Sequence, residues 1–195
     1  MRSLLPNALL IALLLFVSDV WATGRQAHLR VGMLKASYSG PVEASFTTFP
    51  TMEMEMELFY SAKVSTVIQA VFAMDFGKAK VFYSGVGGGQ RFYFGGSSML
   101  FDRQEGDFSL EMYKPHRFFA GYTVGVAQVL VQEFTSAFSV VGSVAEIAAS
   151  AGYNYQLSKE IGIETMLTFG YGLGFTTVAV NGFNIRAGVG MSYYF

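Results

Sequence analysis

Residues 183–195 alternate without a break. Phe183, Ile185, Ala187, Val189, Met191, Tyr193 and Phe195 fall on one face, and Asn184, Arg186, Gly188, Gly190, Ser192 and Tyr194 on the other. A period of two belongs to a β-strand, whose successive side chains point to opposite faces; a helix needs 3.6. The same period recurs upstream. In 160–174, Ile161, Ile163, Thr165, Leu167, Phe169, Tyr171 and Leu173 oppose Gly162, Glu164, Met166, Thr168 and three glycines. In 144–157, Ala145, Ile147, Ala149, Ala151, Tyr153 and Tyr155 oppose Glu146, Ser150, Gly152 and Asn154. In 118–130, Phe118, Ala120, Tyr122, Val124 and Val126 oppose Gly121, Thr123, Gly125 and Ala127.

The N-terminal half is less regular. Residues 51–60 set Met52, Met54, Met56 and Leu58 against Glu53, Glu55 and Glu57. Strands follow at 64–74, with Gln69 inward, and at 81–94, where Gly87-Gly88-Gly89 predicts a bulge or kink. A first strand at 29–38 carries Lys35 on its apolar face, which predicts a bulge or register shift there. Eight strands result.

What these strands pack against follows from composition. The chain is 52% apolar and 14% charged, with 22 Gly among 195 residues, an apolar excess unusual in a water-soluble domain. So few charges exclude a disordered tail or a nucleic-acid-binding surface, and a formal net charge of −1 provides no steering field. The absence of Cys removes disulfides, thiolate catalysis and thiolate metal sites. Residues 1–22 have the pattern of a secretory signal: Arg2, an apolar run over 9–17, and a small-x-small site at Val20-Trp21-Ala22. Cleavage after Ala22 leaves 23–195 as the expected mature domain. No later apolar run is long enough for a membrane helix; the longest, 138–152, is cut by Glu146. An exported, apolar chain without such a helix has one other way to satisfy its backbone N–H and C=O groups in hydrocarbon, a closed β-barrel.

The last strand, with Val189, Met191, Tyr193 and Phe195 at alternate positions up to the final residue, resembles the C-terminal signal that outer-membrane assembly machinery recognises. Together with the signal and the alternation, it makes the chain resemble the small eight-stranded outer-membrane β-barrels of Gram-negative bacteria (OmpA-transmembrane-like or OmpX-like). The resemblance implies an all-β, antiparallel up-and-down transmembrane barrel, an outer-membrane location, and the lipid bilayer and assembly machinery as partners. It implies no single activity. With the C-terminus in the periplasm, turns near 61–63 and 158–160 are periplasmic, and 40–50, 75–80, 132–142 and 176–182 are outer loops. The 95–116 connection, with Asp102, Arg103, Glu105 and Asp107, is then long for a periplasmic turn. A ninth strand over 108–113 would leave one terminus on the wrong side, so eight is the expected count.

An eight-stranded barrel is narrow enough for side chains to fill. Parity directs Glu53, Glu55, Glu57, Glu146 and Glu164 inward, against Arg30, Arg91 and Arg186. Buried ions need partners, so these form an expected charge network, with Glu164 and Arg186 on adjacent strands as one pair. The Glu53/Glu55/Glu57 ladder also suggests a cation-binding lumen, but successive Cα atoms on one strand face lie roughly 6.5–7 Å apart, which chelates poorly. His28 and His116 fall at periplasmic strand ends and are expected to be interfacial. Neither has a His-x-Ser neighbour, and the glycine-rich stretches lack the residues of a phosphate or dinucleotide loop. No catalytic residue, metal or cofactor is assigned.

Tyr60, Phe92, Tyr93, Phe94, Phe118, Tyr153, Tyr155, Tyr193, Tyr194 and Phe195 cluster at those same ends as an aromatic girdle. The small outward face Ala145, Ala149 and Ala151 permits close approach of a second barrel. Three readings of function follow: a non-enzymatic barrel with a structural or interaction role, a homo-oligomer packed through that face (for example a ring enclosing lipid), and a narrow pore or small-ligand channel.

Overall fold

The computed structural model describes residues 24–39, 44–61, 63–75, 80–94, 102–105, 108–111, 116–132, 139–158, 160–174 and 181–195. The expected signal at 1–22 and most of the expected outer-loop positions lie outside these residues. The strands are β1 (Gly24–Ser39), β2 (Ala44–Phe59), β3 (Val64–Asp75), β4 (Lys80–Phe94), β5 (Asp102–Glu105), β6 (Phe108–Glu111), β7 (His116–Gln132), β8 (Ser139–Gln156), β9 (Ile161–Gly174) and β10 (Asn181–Tyr194).

Eight of them close into an antiparallel barrel in the order β1-β10-β9-β8-β7-β4-β3-β2. Closure is made by β1, which pairs with β10 through Val31 and Val189 and with β2 through Val31 and Met52. Each barrel strand thus has two hydrogen-bonded neighbours, and no edge is left open. Within the 95–116 connection, 108–111 is indeed a strand, but it pairs with β5 in a separate hairpin and does not enter the barrel.

Alternation along the strands becomes alternation between wall and lumen. In β9, even-numbered residues from Gly162 to Gly172 are buried and Ile163, Leu167, Phe169, Tyr171 and Leu173 are exposed. Leu29, Val31 and Met33 on β1, Val124 on β7 and Ile147 on β8 continue the same exposed apolar wall, the surface a barrel turns toward lipid. Two tight turns set the short-turn end. In each, a serine hydroxyl accepts backbone N–H groups two and three residues on: Ser61 from Lys63 and Val64, Ser158 from Glu160 and Ile161. This local serine turn reverses the strand without Gly or Pro.

Two expected irregularities fall elsewhere. The bulge expected in β1 lies across the pair: between Gly32 and Leu34 on β1, the partner strand β2 moves from Thr51 to Thr48. The extra residue is on β2, beside Pro50, which cannot donate to a ladder. Parity in β1 is therefore unbroken, and Lys35 does face outward. At Gly87-Gly88-Gly89 the register runs straight through on both sides, with no bulge. There the glycines serve close approach: a Cβ on Gly89 would fall onto the backbone of Tyr122 and Thr123 in β7. Strands also run further than expected. Residues 44–50 and 139–142, placed in loops from their sequence, belong to β2 and β8.

Candidate functional site

The lumen is layered. At the short-turn end, Phe59, Tyr93, Phe119 and Met166 form a buried apolar cluster, with Tyr194 packed against it. At the opposite end a second cluster joins, among others, Leu34, Tyr38, Val71, Tyr83, Val129 and Val144. Between them lie the charges.

The register of β1 against β2 explains how the charges meet. Arg30 stands across from Glu53, His28 from Glu55 and Gln26 from Glu57, so β2's inward acids face β1's inward nitrogen-bearing side chains. Arg30 reaches three carboxylates from three inward positions: Nε donates to Glu53 (3.2 Å), Nη2 to Glu55 (2.8 Å) and Nη1 to Glu164 of β9. From β4, Arg91 pairs with Glu55 at 2.6 Å and Glu57 at 3.0 Å. Glu57 also accepts from the Tyr93 hydroxyl at 2.5 Å and from Ser65. Toward the opposite end, Glu146 accepts from Arg186 (3.2 Å), Asn184 (2.7 Å) and the Tyr83 hydroxyl (2.7 Å). A 3.8 Å contact from Arg186 Nε to Glu53 joins the two halves.

Planar guanidiniums serve here because their five donors fan out to several acceptors at once. Aromatic faces take the remaining positive surface. Arg91 lies 4.1 Å from the centroid of Phe119, and Arg117 lies 4.6 Å from that of Tyr93. Arg117 also donates to Gln26 at 2.5 Å. The ionic layer is thereby tied to the apolar layer beneath it.

The structure brings Glu53, Glu55, Glu57, Glu146, Glu164, Arg30, Arg91 and Arg186 into one connected set, but with different partners from those expected in one place. Glu164 and Arg186 do not pair. Their strands are adjacent, yet Arg186 is in register with Thr168 and Glu164 with Gly190, an offset of four residues or roughly 13 Å along the strand. Each pairs instead with the strand one further round, Glu164 with Arg30 of β1 and Arg186 with Glu146 of β8.

His28 is a correction as well. It is not interfacial; its ring is fully buried, with Nε2 2.9 Å from Glu57 and Nδ1 2.9 Å from Glu164, the latter an ion-pair distance outside hydrogen-bond angles. His116 does lie exposed at the start of β7. Tyr93 and Tyr194 leave the expected girdle for the lumen, while Tyr60, Phe92, Phe94, Phe118, Tyr155, Tyr193 and Phe195 are exposed near the short-turn end. Arg117, Tyr83, Ser65 and Asn184 went unassigned from the sequence. Parity alone would have found Arg117, which precedes the outward Phe118.

Donor atoms of His28, Glu55 and Glu57 lie within 4.8 Å of one another, the spacing of a metal site. The carboxylate oxygens concerned are, however, the ones Arg91 holds, and a cation there would sit against that guanidinium. Among the described residues no hydroxyl is hydrogen-bonded to the imidazole; that of Ser65 donates to Glu57. A cavity of about 10 Å³, lined by Gln69, Tyr83, Thr123, Glu146 and Arg186, has room for roughly one water.

On the outer wall, Val189, Met191, Tyr193 and Phe195 all face outward, and the backbone N–H of Phe195 donates to Arg25 at 3.0 Å, which ties down the C-terminus. Ala145, Ala149 and Ala151 are exposed on β8, and Ala120 of β7 is in register with Ala151.

No protein family and no curated protein matches the sequence. Solved structures do. Neisserial surface protein A superposes with a TM-score of 0.62 at 11% identity, covering 87% of this chain and 97% of that one. The attachment invasion locus protein Ail of Yersinia pestis, solved with the heparin analogue sucrose octasulfate, gives 0.50 at 9% identity, covering 88% and 99%. The chain has the fold of the eight-stranded outer-membrane β-barrels, a fold that by itself assigns no activity.

Proposed function

We propose that the chain is a non-enzymatic integral barrel of the Gram-negative outer membrane, closed by its own side chains, with a structural or interaction role exercised at its surfaces. The carrying observation is the three-layered lumen: paired ions held between two apolar clusters, inside a wall whose outward positions are mostly apolar. Removing charges from water costs several kcal/mol per ion unless they are paired. A lumen that invests in so many buried pairs is built to stay closed. The outward aromatics at the short-turn end mark a headgroup level, and the outward Val189, Met191, Tyr193 and Phe195 support recognition by the assembly machinery.

Planar-bilayer recording separates this reading from a pore or small-ligand channel. The refolded barrel is expected to leave the membrane silent; steady, ohmic conductance steps would refute closure. A second reading, a homo-oligomer, is favoured by the exposed alanines of β8 beside Ala120, where two barrel walls could approach closely. Crosslinking in native membranes together with mass measurement in mild detergent tests it, and a monomer by both removes it.

A further inference from the structure

The buried charged side chains described in the lumen include five carboxylates, Glu53, Glu55, Glu57, Glu146 and Glu164, against four guanidiniums, Arg30, Arg91, Arg117 and Arg186. Enclosed between apolar layers, this set has one negative charge in excess and little solvent to screen it. His28 stands where the acids are densest. From β2, Glu57 lies 2.9 Å and Glu55 3.8 Å from Nε2; from β9, Glu164 lies 2.9 Å from Nδ1. The neighbouring cations are Arg30 on the same strand, engaged with Glu55 and Glu164, and Arg91 on β4, engaged with Glu55 and Glu57, and the Tyr93 hydroxyl of β4 also binds Glu57.

A neutral imidazole carries N–H on one nitrogen and a lone pair on the other. Nε2 is in hydrogen-bond reach of Glu57, and Nδ1 lies at an ion-pair distance of 2.9 Å from Glu164. A neutral ring offers these carboxylates no charge, whereas the doubly protonated ring places positive charge beside both. A metal ion is the poorer occupant, because it would need a bare Nε2 and the oxygens that Arg91 holds.

We infer that His28 is a buried proton-binding site, held as an imidazolium between Glu57 and Glu164, and that its proton completes the charge balance of the lumen. The inference rests on the lumen being sealed. Glu55, Glu57 and Glu164 then meet three cations, Arg30, Arg91 and His28. In the unfolded chain a histidine is mostly neutral above about pH 6.5, so at pH 7–8 folding takes up a proton. By linkage, the folded state binds more protons than the unfolded one in that window, and stability falls as pH rises.

The test is nitrogen NMR of the ring. The barrel is folded in detergent micelles with ¹⁵N-labelled histidine; a His116→Gln variant, altered only at the exposed histidine, leaves the His28 signals alone and assigns them. At pH 8 the His28 ring is expected to show two protonated nitrogens, with fewer than one ring in ten neutral. An unprotonated nitrogen on His28 at pH 8 overturns the inference. If that neutral ring exchanges its remaining proton slowly with solvent, the lumen is still sealed and the imidazolium alone is wrong. If it exchanges that proton rapidly with solvent, the closed lumen fails too.

Discussion

Arg30 is the strongest single test of the ionic layer. Its side chain is 0% exposed and bonds Glu53, Glu55 and Glu164 together. In Arg30→Met a flexible apolar chain of similar length replaces the guanidinium. Adding three charge-assisted bonds at about 1.5–3 kcal/mol each would give an excessive loss, because each carboxylate retains a cation: Glu55 keeps Arg91, Glu164 keeps His28, and Glu53 keeps Arg186 at 3.8 Å. The appropriate figure is that for breaking one buried ion pair, ~3–5 kcal/mol. With a urea slope of about 2 kcal/mol per M, the unfolding midpoint should fall by roughly 1.5–2.5 M. Far-UV circular dichroism of the barrel in lipid vesicles provides the assay. Adding Glu164→Gln to Arg30→Met should recover part of the loss, with a coupling of about 0.5–3 kcal/mol. An Arg30→Met midpoint within about 0.5 kcal/mol of wild type, the usual range for surface changes, would mean that water reaches these charges and the layer is not sealed.

Two other substitutions probe the wall. Val124 is 54% exposed at the middle of β7, so Val124→Arg should cost about 2–4 kcal/mol in a bilayer, while Tyr155→Arg at the strand end should cost only about 0–1; vesicle unfolding of both variants checks the depth dependence. Gly89→Ala drives a Cβ into the Tyr122 carbonyl and should cost roughly 1–3 kcal/mol, whereas Gly88→Ala, whose Cβ would meet its nearest neighbour at 3.4 Å, should be close to neutral. Equal losses at the two glycines would contradict the β4–β7 approach described above.

The barrel itself was legible because alternation reports a face directly: once Phe169 points out, Glu164 and Thr168 must point in. Parity carried the five acids and three of the arginines into the lumen for the same reason. It does not report height along the barrel axis, and partners are decided by height. Glu164 and Arg186 share the inward face of adjacent strands, but it is Arg30, two strands round on β1, that stands at the level of Glu164. For His28, closeness to the apolar run that begins at Leu29 does not mean closeness to the interface: β1 begins at Gly24, so the ring sits deeper and meets Glu57 and Glu164. Tyr93 had a plain signal, lying between the outward Phe92 and Phe94, but its aromatic character suggested the girdle. The bulge was sensed through Lys35 and located on the wrong strand, since a register shift can be absorbed by either partner and Pro50 of β2 was the easier place.

The chain contains no cysteine, so single cysteines along β9 can carry a nitroxide label, and its accessibility to oxygen and to a water-soluble nickel chelate in vesicles tests the closed, membrane-embedded barrel most directly. Labels at Ile163, Leu167 and Phe169, which are exposed on the wall, should be reached by oxygen and not by the chelate. Labels replacing the buried Met166 and Thr168 should be reached by neither, giving a period of two. Chelate access at Met166 or Thr168 would show a water-filled interior, and chelate access at Leu167 or Phe169 would show that the wall does not face lipid.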